Sequence, residues 1–202
     1  NAVLNYKKFS SYGVSEEDLE LYYQSIKKWN PSFFRGYASS LTLFAKYCIE
    51  NNKELTFKSV FSTAEMLQPK QRELIESAFN TKVYNNYGLN DGGVSSYEAE
   101  TNNMFLIDTE RSILEIVNDQ ENIYNANGKI IATSLYNYAF PFIRYDTGDN
   151  GTQILDTNSG RKKLTDLRGR TTDYITLNNK VIGSPVLTIL MGKIDAIKYQ
   201  II

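Results

Sequence analysis

Histidine is absent from the chain, and cysteine occurs once, at Cys48. Without imidazole, and with a single thiol, the usual zinc sites and any Ser-His or Cys-His nucleophile pair are excluded. One cysteine also forbids an internal disulfide, which fits a reducing compartment such as the cytoplasm. An excess of either charge is missing too. Twenty-two Lys and Arg stand against 23 Asp and Glu, for a net charge of −1 and a pI near 5.7, with none of the basic surplus of a dedicated nucleic-acid binder. No apolar run approaches the roughly 20 residues of a membrane span. No signal peptide, repeat or low-complexity tract is visible.

What the chain does have is enough apolar material for a core: 42% hydrophobic residues over 202 positions. Fifteen tyrosines and ten phenylalanines belong to that total. They suit core and sheet filling, or stacking surfaces for a planar ligand, and composition alone favours the first.

The first half alternates between helical and strand patterns. "SEEDLELYYQSIKKW" opens on Ser15 as an N-cap, with Glu16, Glu17 and Asp18 in the first turn where the helix dipole favours them. Asn30-Pro31 ends that helix. "SFFRGYAS" reads as strand and turn, "SSLTLFAKYCIENN" as a helix, and "KSVFSTAE" as a short buried strand. "QPKQRELIESAF" is a helix with Pro69 in its first turn, and "TKVYNNYG" is again a strand. Strand, helix, strand predicts a parallel α/β unit. After about Tyr97 the pattern predicts a small antiparallel sheet or barrel, with strands at "MFLID", "SILEIVN", "KIIATSLYN", "FPFIRYD" and "GTQIL". "LTDLRGRTTDYITLNNKVI" then reads as a hairpin, "SPVLTILMGK" as a helix and "KYQII" as a strand.

Four stretches at strand ends or turns carry polar chemistry, and ligands of open α/β sheets bind at such ends. "FSTAEML" leaves small residues and free backbone beside a strand end, or is a simple strand-to-helix turn. "NNYGLNDGG" offers the Tyr87 ring, the Asn86 and Asn90 amides and the Asp91 carboxylate, an oxygen donor of the kind divalent cations take. It is equally strong turn chemistry. "FPFIRYDTGDNG" reads as a buried strand closing in a tight turn. Asp149 there can accept two hydrogen bonds from a vicinal diol, or is a type I turn aspartate. "LRGRTTDYI" presents Arg170, a planar fork suited to phosphate or ribose oxygens, or an arginine paired on a solvated turn.

Taken in order, the four resemble the adenylate-forming (AMP-binding) superfamily, in particular its phenylacetate-CoA ligase and CapK-type branch. That branch runs a small-Ala-Glu turn, Tyr-Gly-x-Thr/Ser-Glu, "PLIRYRTGD" and "GRTDD". Here the matching stretches are "STAEML", "YGLND", "PFIRYDTGD" and "GRTTD", and "RGYASSL" stands where the branch has "RGYPSSL". The resemblance implies an α/β fold. Residues 1–108 would be the parallel α/β part of the AMP-binding domain, 109–168 an antiparallel β subdomain, and 169–202 the beginning of a C-terminal α+β domain. It implies that Thr63, Ala64 and Glu65 lie against adenine, that Asn86 meets its exocyclic amine, and that Tyr87 stacks on it beside Gly88 and Asn90. Asp149 would bind both ribose hydroxyls, Arg170 would reach ribose or phosphate, and Asp91 would help hold Mg2+. Arg35, Gly36 and Tyr37 would shape the pocket for a small-molecule carboxylic acid. ATP and magnesium are the implied cofactors, with CoA as a candidate acceptor.

The departures from the pattern are specific. Asn90 replaces the branch's Thr/Ser and Asp91 its Glu, a side chain shorter by one methylene. Asp146 stands where a second basic residue is common, Thr172 where many members carry an acidic hinge residue, and "DTNSGRKKL" where the branch has a Cys-rich insertion. The family's Ser/Thr/Gly-rich phosphate loop is not in the sequence, and its late catalytic lysine is expected beyond Ile202. The expectation is therefore a middle piece of a longer ligase, inactive alone, with a non-catalytic nucleotide-binding or scaffolding relative as the alternative. A plain α/β module would need all four turns to coincide by chance.

Overall fold

The computed structural model describes residues 5–11, 13–89, 93–118, 121–157 and 159–169, together with the backbone of two short strands at 174–177 and 180–183. Three helices lie in the first half: α1 (Glu16–Trp29), α2 (Ala38–Glu50) and α3 (Pro69–Phe79). The first begins as its sequence dictates, with Ser15 and Asp18 forming a reciprocal capping box, and it stops at Asn30, which takes the left-handed conformation. Helix α3 stops the same way at Asn80.

Between the helices run β1 (Phe33–Tyr37), β2 (Ser59–Thr63) and β3 (Val83–Leu89), all parallel. The expected strand-helix-strand unit is thus formed. Its core lies on the helix-facing side, where Phe34, Phe44, Phe57 and Phe79 meet at ring centroid distances of 5.1 to 6.0 Å. Phe79, Ile75, Val60 and Val83 are completely buried. Cys48 belongs to this core, and burial pushes its thiol up to about 12, so it is inert packing rather than a nucleophile.

Antiparallel pairing begins one strand earlier than the sequence pattern suggests, with β4 (Val94–Glu98) folding back on β3. Then follow β5 (Phe105–Ile107), β6 (Ser112–Asn118), β7 (Glu121–Asn122), β8 (Asn127–Ser134), β9 (Tyr145–Leu155) and β10 (Lys162–Arg168). Together with the parallel strands they form one ten-stranded sheet in the order β1-β2-β3-β4-β5-β10-β9-β8-β6-β7. Strand β10 is part of this sheet. The expected hairpin from Leu164 onward is therefore confined to its later part, where β11 (Tyr174–Leu177) pairs with β12 (Lys180–Gly183). The helix and strand expected after it fall outside the described residues.

The antiparallel strands curl. Beta4 touches both β6 and β8 although several strands separate them along the sheet. At the point of closure Gly93 takes φ +67, and a Cβ there would sit 2.6 Å from Ser134 Oγ, so only glycine lets the β3–β4 turn reach the end of β8. A second, mostly aliphatic core fills the curl: Val94, Phe105, Ile107, Leu114, Ile116, Ile130, Ala132 and Leu164, with Tyr87 and Leu89 packed against it.

One expectation is reversed. Phe140 to Arg144 is not a strand: Phe140 and Ile143 are 66% and 72% exposed, and Arg144 has φ +49. The strand starts at Tyr145 and runs through Thr147-Gly148-Asp149, the expected turn. Those three residues form a bulge, standing opposite the single residue Ile130 of β8. The bulge satisfies itself. Thr147 Oγ1 donates to the Ile130 carbonyl at 2.8 Å, Asp146 Oδ1 accepts from the Gly148 amide at 2.9 Å, and Gly148 takes φ +77. Asp146, the residue that departs from the branch's pattern, thus has a local structural use.

Candidate functional site

Parallel register lines up the carboxyl ends of the first three strands. Tyr37 is level with Thr63, and Thr63 with Asn86. Two of the four stretches singled out by sequence therefore share one rim with the Arg35–Tyr37 segment, although the three span about fifty positions of the chain. Just beyond β2 the chain turns at Ala64, whose φ of +65 is unusual for a residue with a Cβ. Glu65 follows, and its carboxylate points across to α2. Oε2 accepts from the Ser39 amide at 2.7 Å and Oε1 from the Ser39 hydroxyl at 2.9 Å. Arg35 Nη2 donates to Thr63 Oγ1 at 3.5 Å. Gly36 faces the helices, where a Cβ would press on Leu41.

The remaining contribution comes from the far side of the curl, from within β9. Strand β9 is four places from β3 in the sheet, about 19 Å away in a flat sheet of ordinary strand spacing. Curling removes that distance: the Tyr87 hydroxyl donates to Asp149 Oδ2 at 2.9 Å, across 62 positions of sequence. The bulge presents Asp149, and its amide is tied to Thr147 Oγ1 at 3.2 Å. Tyr87 is half-buried with its ring on the aliphatic core, and Gly88 beside it approaches the Val94 carbonyl closely enough that a Cβ would lie 3.2 Å away.

Thr63, Ala64, Glu65, Asn86, Tyr87 and Gly88 thus sit along neighbouring strand ends, with Arg35, Gly36 and Tyr37 beside them on β1 and Asp149 brought to Tyr87 from within β9. Asn90, Asp91 and Arg170 lie outside the described residues, as does Thr172. Among the described residues no three His, Cys, Asp or Glu side chains come together as a metal site.

Sequence reading missed three features. Ser39 anchors Glu65. Arg72 and Glu98 form a buried ion pair at 2.9 Å, their side chains 12% and 0% exposed, with Glu98 also accepting from the Asn85 and Asn103 amides at 2.8 Å. The signal was present: Val94, Ser96 and Glu98 share the inward face of one strand, and a buried acid demands a partner. A cleft of about 290 Å³ opens beside the closure, lined by Gly93, Arg111, Ser134, Tyr136 and Asn137, of which only Gly93 belongs to one of the four stretches.

Similarity to known proteins bears on this geometry. No family model matches the chain. The fold is that of solved acyl-CoA ligases. A 2-hydroxyisobutyryl-CoA ligase in the postadenylation state, in complex with R3-HIB-AMP, aligns over 93% of this chain and 42% of its own, with a TM-score of 0.72 and 20% identity. An anthranilate CoA ligase in complex with anthranoyl-AMP aligns over 85% of this chain and 36% of its own, at a TM-score of 0.57 and 12% identity. The class is therefore the adenylate-forming ligase fold. In sequence the chain is a homologue of Protein CapK of Staphylococcus aureus, 30% identical over 192 residues, which is 92% of this chain and 42% of that protein. The chain spans less than half the length of these relatives. No helix among its described residues is long and apolar enough to cross a membrane.

Proposed function

We propose that the longer protein of which these residues form part is an AMP-forming, ATP-dependent carboxylate ligase, and that this chain supplies the nucleoside side of its site. The observation that carries the reading is the hydrogen bond between Tyr87 and Asp149. It joins two motif positions 62 residues apart, beside the rim where Thr63 and Asn86 lie level. A ring face with an amide beside it suits a purine, and a carboxylate held a few ångströms from that ring suits the ribose diol.

In the reaction proposed, a carboxylate oxygen of the small-molecule acid attacks the α-phosphate of ATP. The bond to the bridging oxygen breaks, and pyrophosphate leaves with the electron pair. A thiol such as that of CoA, or another acceptor, then displaces AMP from the acyl-adenylate. The part of this chain is positioning: Tyr87 and Asn86 hold the base, Asp149 fixes the ribose, Arg170 reaches ribose or phosphate, and Arg35 to Tyr37 border the acid. Asp91, which the resemblance assigns to magnesium, lies outside the described residues. Kinship with CapK supports a place in capsular or other surface polysaccharide synthesis, at the cytoplasmic stage where ATP is available.

Titration of the full-length protein with ATP tests the reading. Asp149→Ala is expected to weaken binding by about tenfold to a hundredfold, the loss of one or two charge-assisted hydrogen bonds. Equal affinity in the two proteins overturns the ribose assignment. Absence of AMP release with every acid tried, despite tight ATP binding, favours a non-catalytic relative instead.

A further inference from the structure

The Glu65 carboxylate, which the resemblance would set beside adenine, makes its contacts elsewhere. Both oxygens are taken by Ser39, through its amide at 2.7 Å and its hydroxyl at 2.9 Å. Helix α2 explains the attraction. Its N-cap, Tyr37, makes no side-chain capping bond, and its first turn has no acid of its own, so unsatisfied amides and the positive dipole end await an outside carboxylate.

The consequence falls on Ala64. Left-handed φ at a residue with a Cβ costs on the order of 1 kcal/mol and persists only where the surroundings over-determine it. Here the chain is held on both sides. Before Ala64, Thr63 is fixed by pairing with Tyr37 and Asn86, and its hydroxyl accepts from Arg35. After Ala64, Glu65 is bound to Ser39, and Leu67 is 6% exposed in the helix-side core. The turn is therefore a strained loop clamped at both ends, on the rim that carries Asn86.

We infer that Ser39 and Glu65 are positioning residues: their paired hydrogen bonds hold the Ala64 turn in the shape that receives the base of the nucleotide, and Glu65 acts through the backbone rather than by touching the ligand. The inference rests on the nucleotide reading above, with purine nucleotides as the ligand class.

The test measures AMP and IMP affinity of the full-length protein by calorimetry. Melting temperature and hydrogen exchange at the Ser39 amide are followed in parallel. Glu65→Ala is expected to shrink the preference for AMP over IMP about tenfold, because losing the Ser39 anchor lets the Ala64 turn relax away from the base. Ser39 exchange should become fast. Glu65→Gln, which keeps an acceptor, should recover most of the preference. An unchanged AMP-to-IMP ratio in Glu65→Ala, whatever the melting temperature does, overturns the inference and leaves Glu65 as a helix cap only. If Asp149→Ala binds like wild type while Glu65→Ala still shifts the ratio, the ribose assignment fails and this inference stands. A full-length wild type that binds neither nucleotide removes both.

Discussion

The two halves of the sheet deliver site residues in different ways. In the helix-backed half, strands run parallel, and register alone brings Tyr37, Thr63 and Asn86 level at their carboxyl ends. In the antiparallel half, Asp149 lies inside an eleven-residue strand and reaches the site only because a bulge lifts it out and the sheet curls toward Tyr87. The cores differ accordingly. One is built around a cluster of phenylalanines, mostly edge-on to one another, under helices, the other a mostly aliphatic filling inside a curl. A strand end needs only a stable sheet, whereas a bulge on a curled sheet depends on every contact that maintains the curvature.

The sharpest way to break the comparison is to empty each core in turn. Phe79→Ala is expected to cost about 4 kcal/mol and Leu164→Ala about 3 kcal/mol, both from fully buried sites. Because a single sheet joins the halves, urea unfolding followed by Trp29 fluorescence and by far-UV circular dichroism should give one coincident transition in both variants. Two separated transitions would show that the halves are thermodynamically independent.

A somewhat smaller effect is expected at the joint between them. Arg72 on α3 grips Glu98 on β4, and Glu98 in turn holds the amides of Asn85 on β3 and Asn103 before β5. Glu98→Ala strands a largely buried guanidinium and should cost about 3 kcal/mol. Replacing both partners by methionine should recover much of that loss. If the single variant also separates the two unfolding probes, the ion pair is what couples the halves.

The smallest expected effect lies wholly within the helix side. The Glu20 carboxyl is held down at about 2, first by the Tyr47 hydroxyl, then by Gln24 and Lys53. A carboxylate lowered on folding stabilises the fold above its ordinary value near 4.5, and that contribution is lost as pH falls toward 2. Tyr47→Phe removes the main cause, so its stability should change less with pH between about 4.5 and 2. Parallel acid titrations of the two proteins measure this, and identical slopes would refute it.

Much of the helix-backed half was legible because its signals are local. Ser15 with Asp18, Asn30 before Pro31, and Pro69 at a helix start act within one turn of the backbone. Strand β4 escaped notice because "VSSYE" pairs small polar residues with one buried acid, a pattern whose meaning depends on Arg72, 26 positions earlier. "FPFIRYD" misled for the opposite reason. Its apolar content says strand, but Arg144 turns the chain and the aromatics stay outside.

By itself the sequence determined the order of the motifs, the parallel unit and the absence of imidazole from these 202 residues. Each is a property of residue type and spacing along the chain. The tertiary structure decided which polar groups are partners: Tyr87 with Asp149, Glu65 with Ser39, Arg72 with Glu98. These contacts span 26 to 62 positions and are set by strand register, a two-residue excess in a bulge, and the curl of the sheet. Those quantities arise from how strands pack on one another, and no local stretch of residues encodes them.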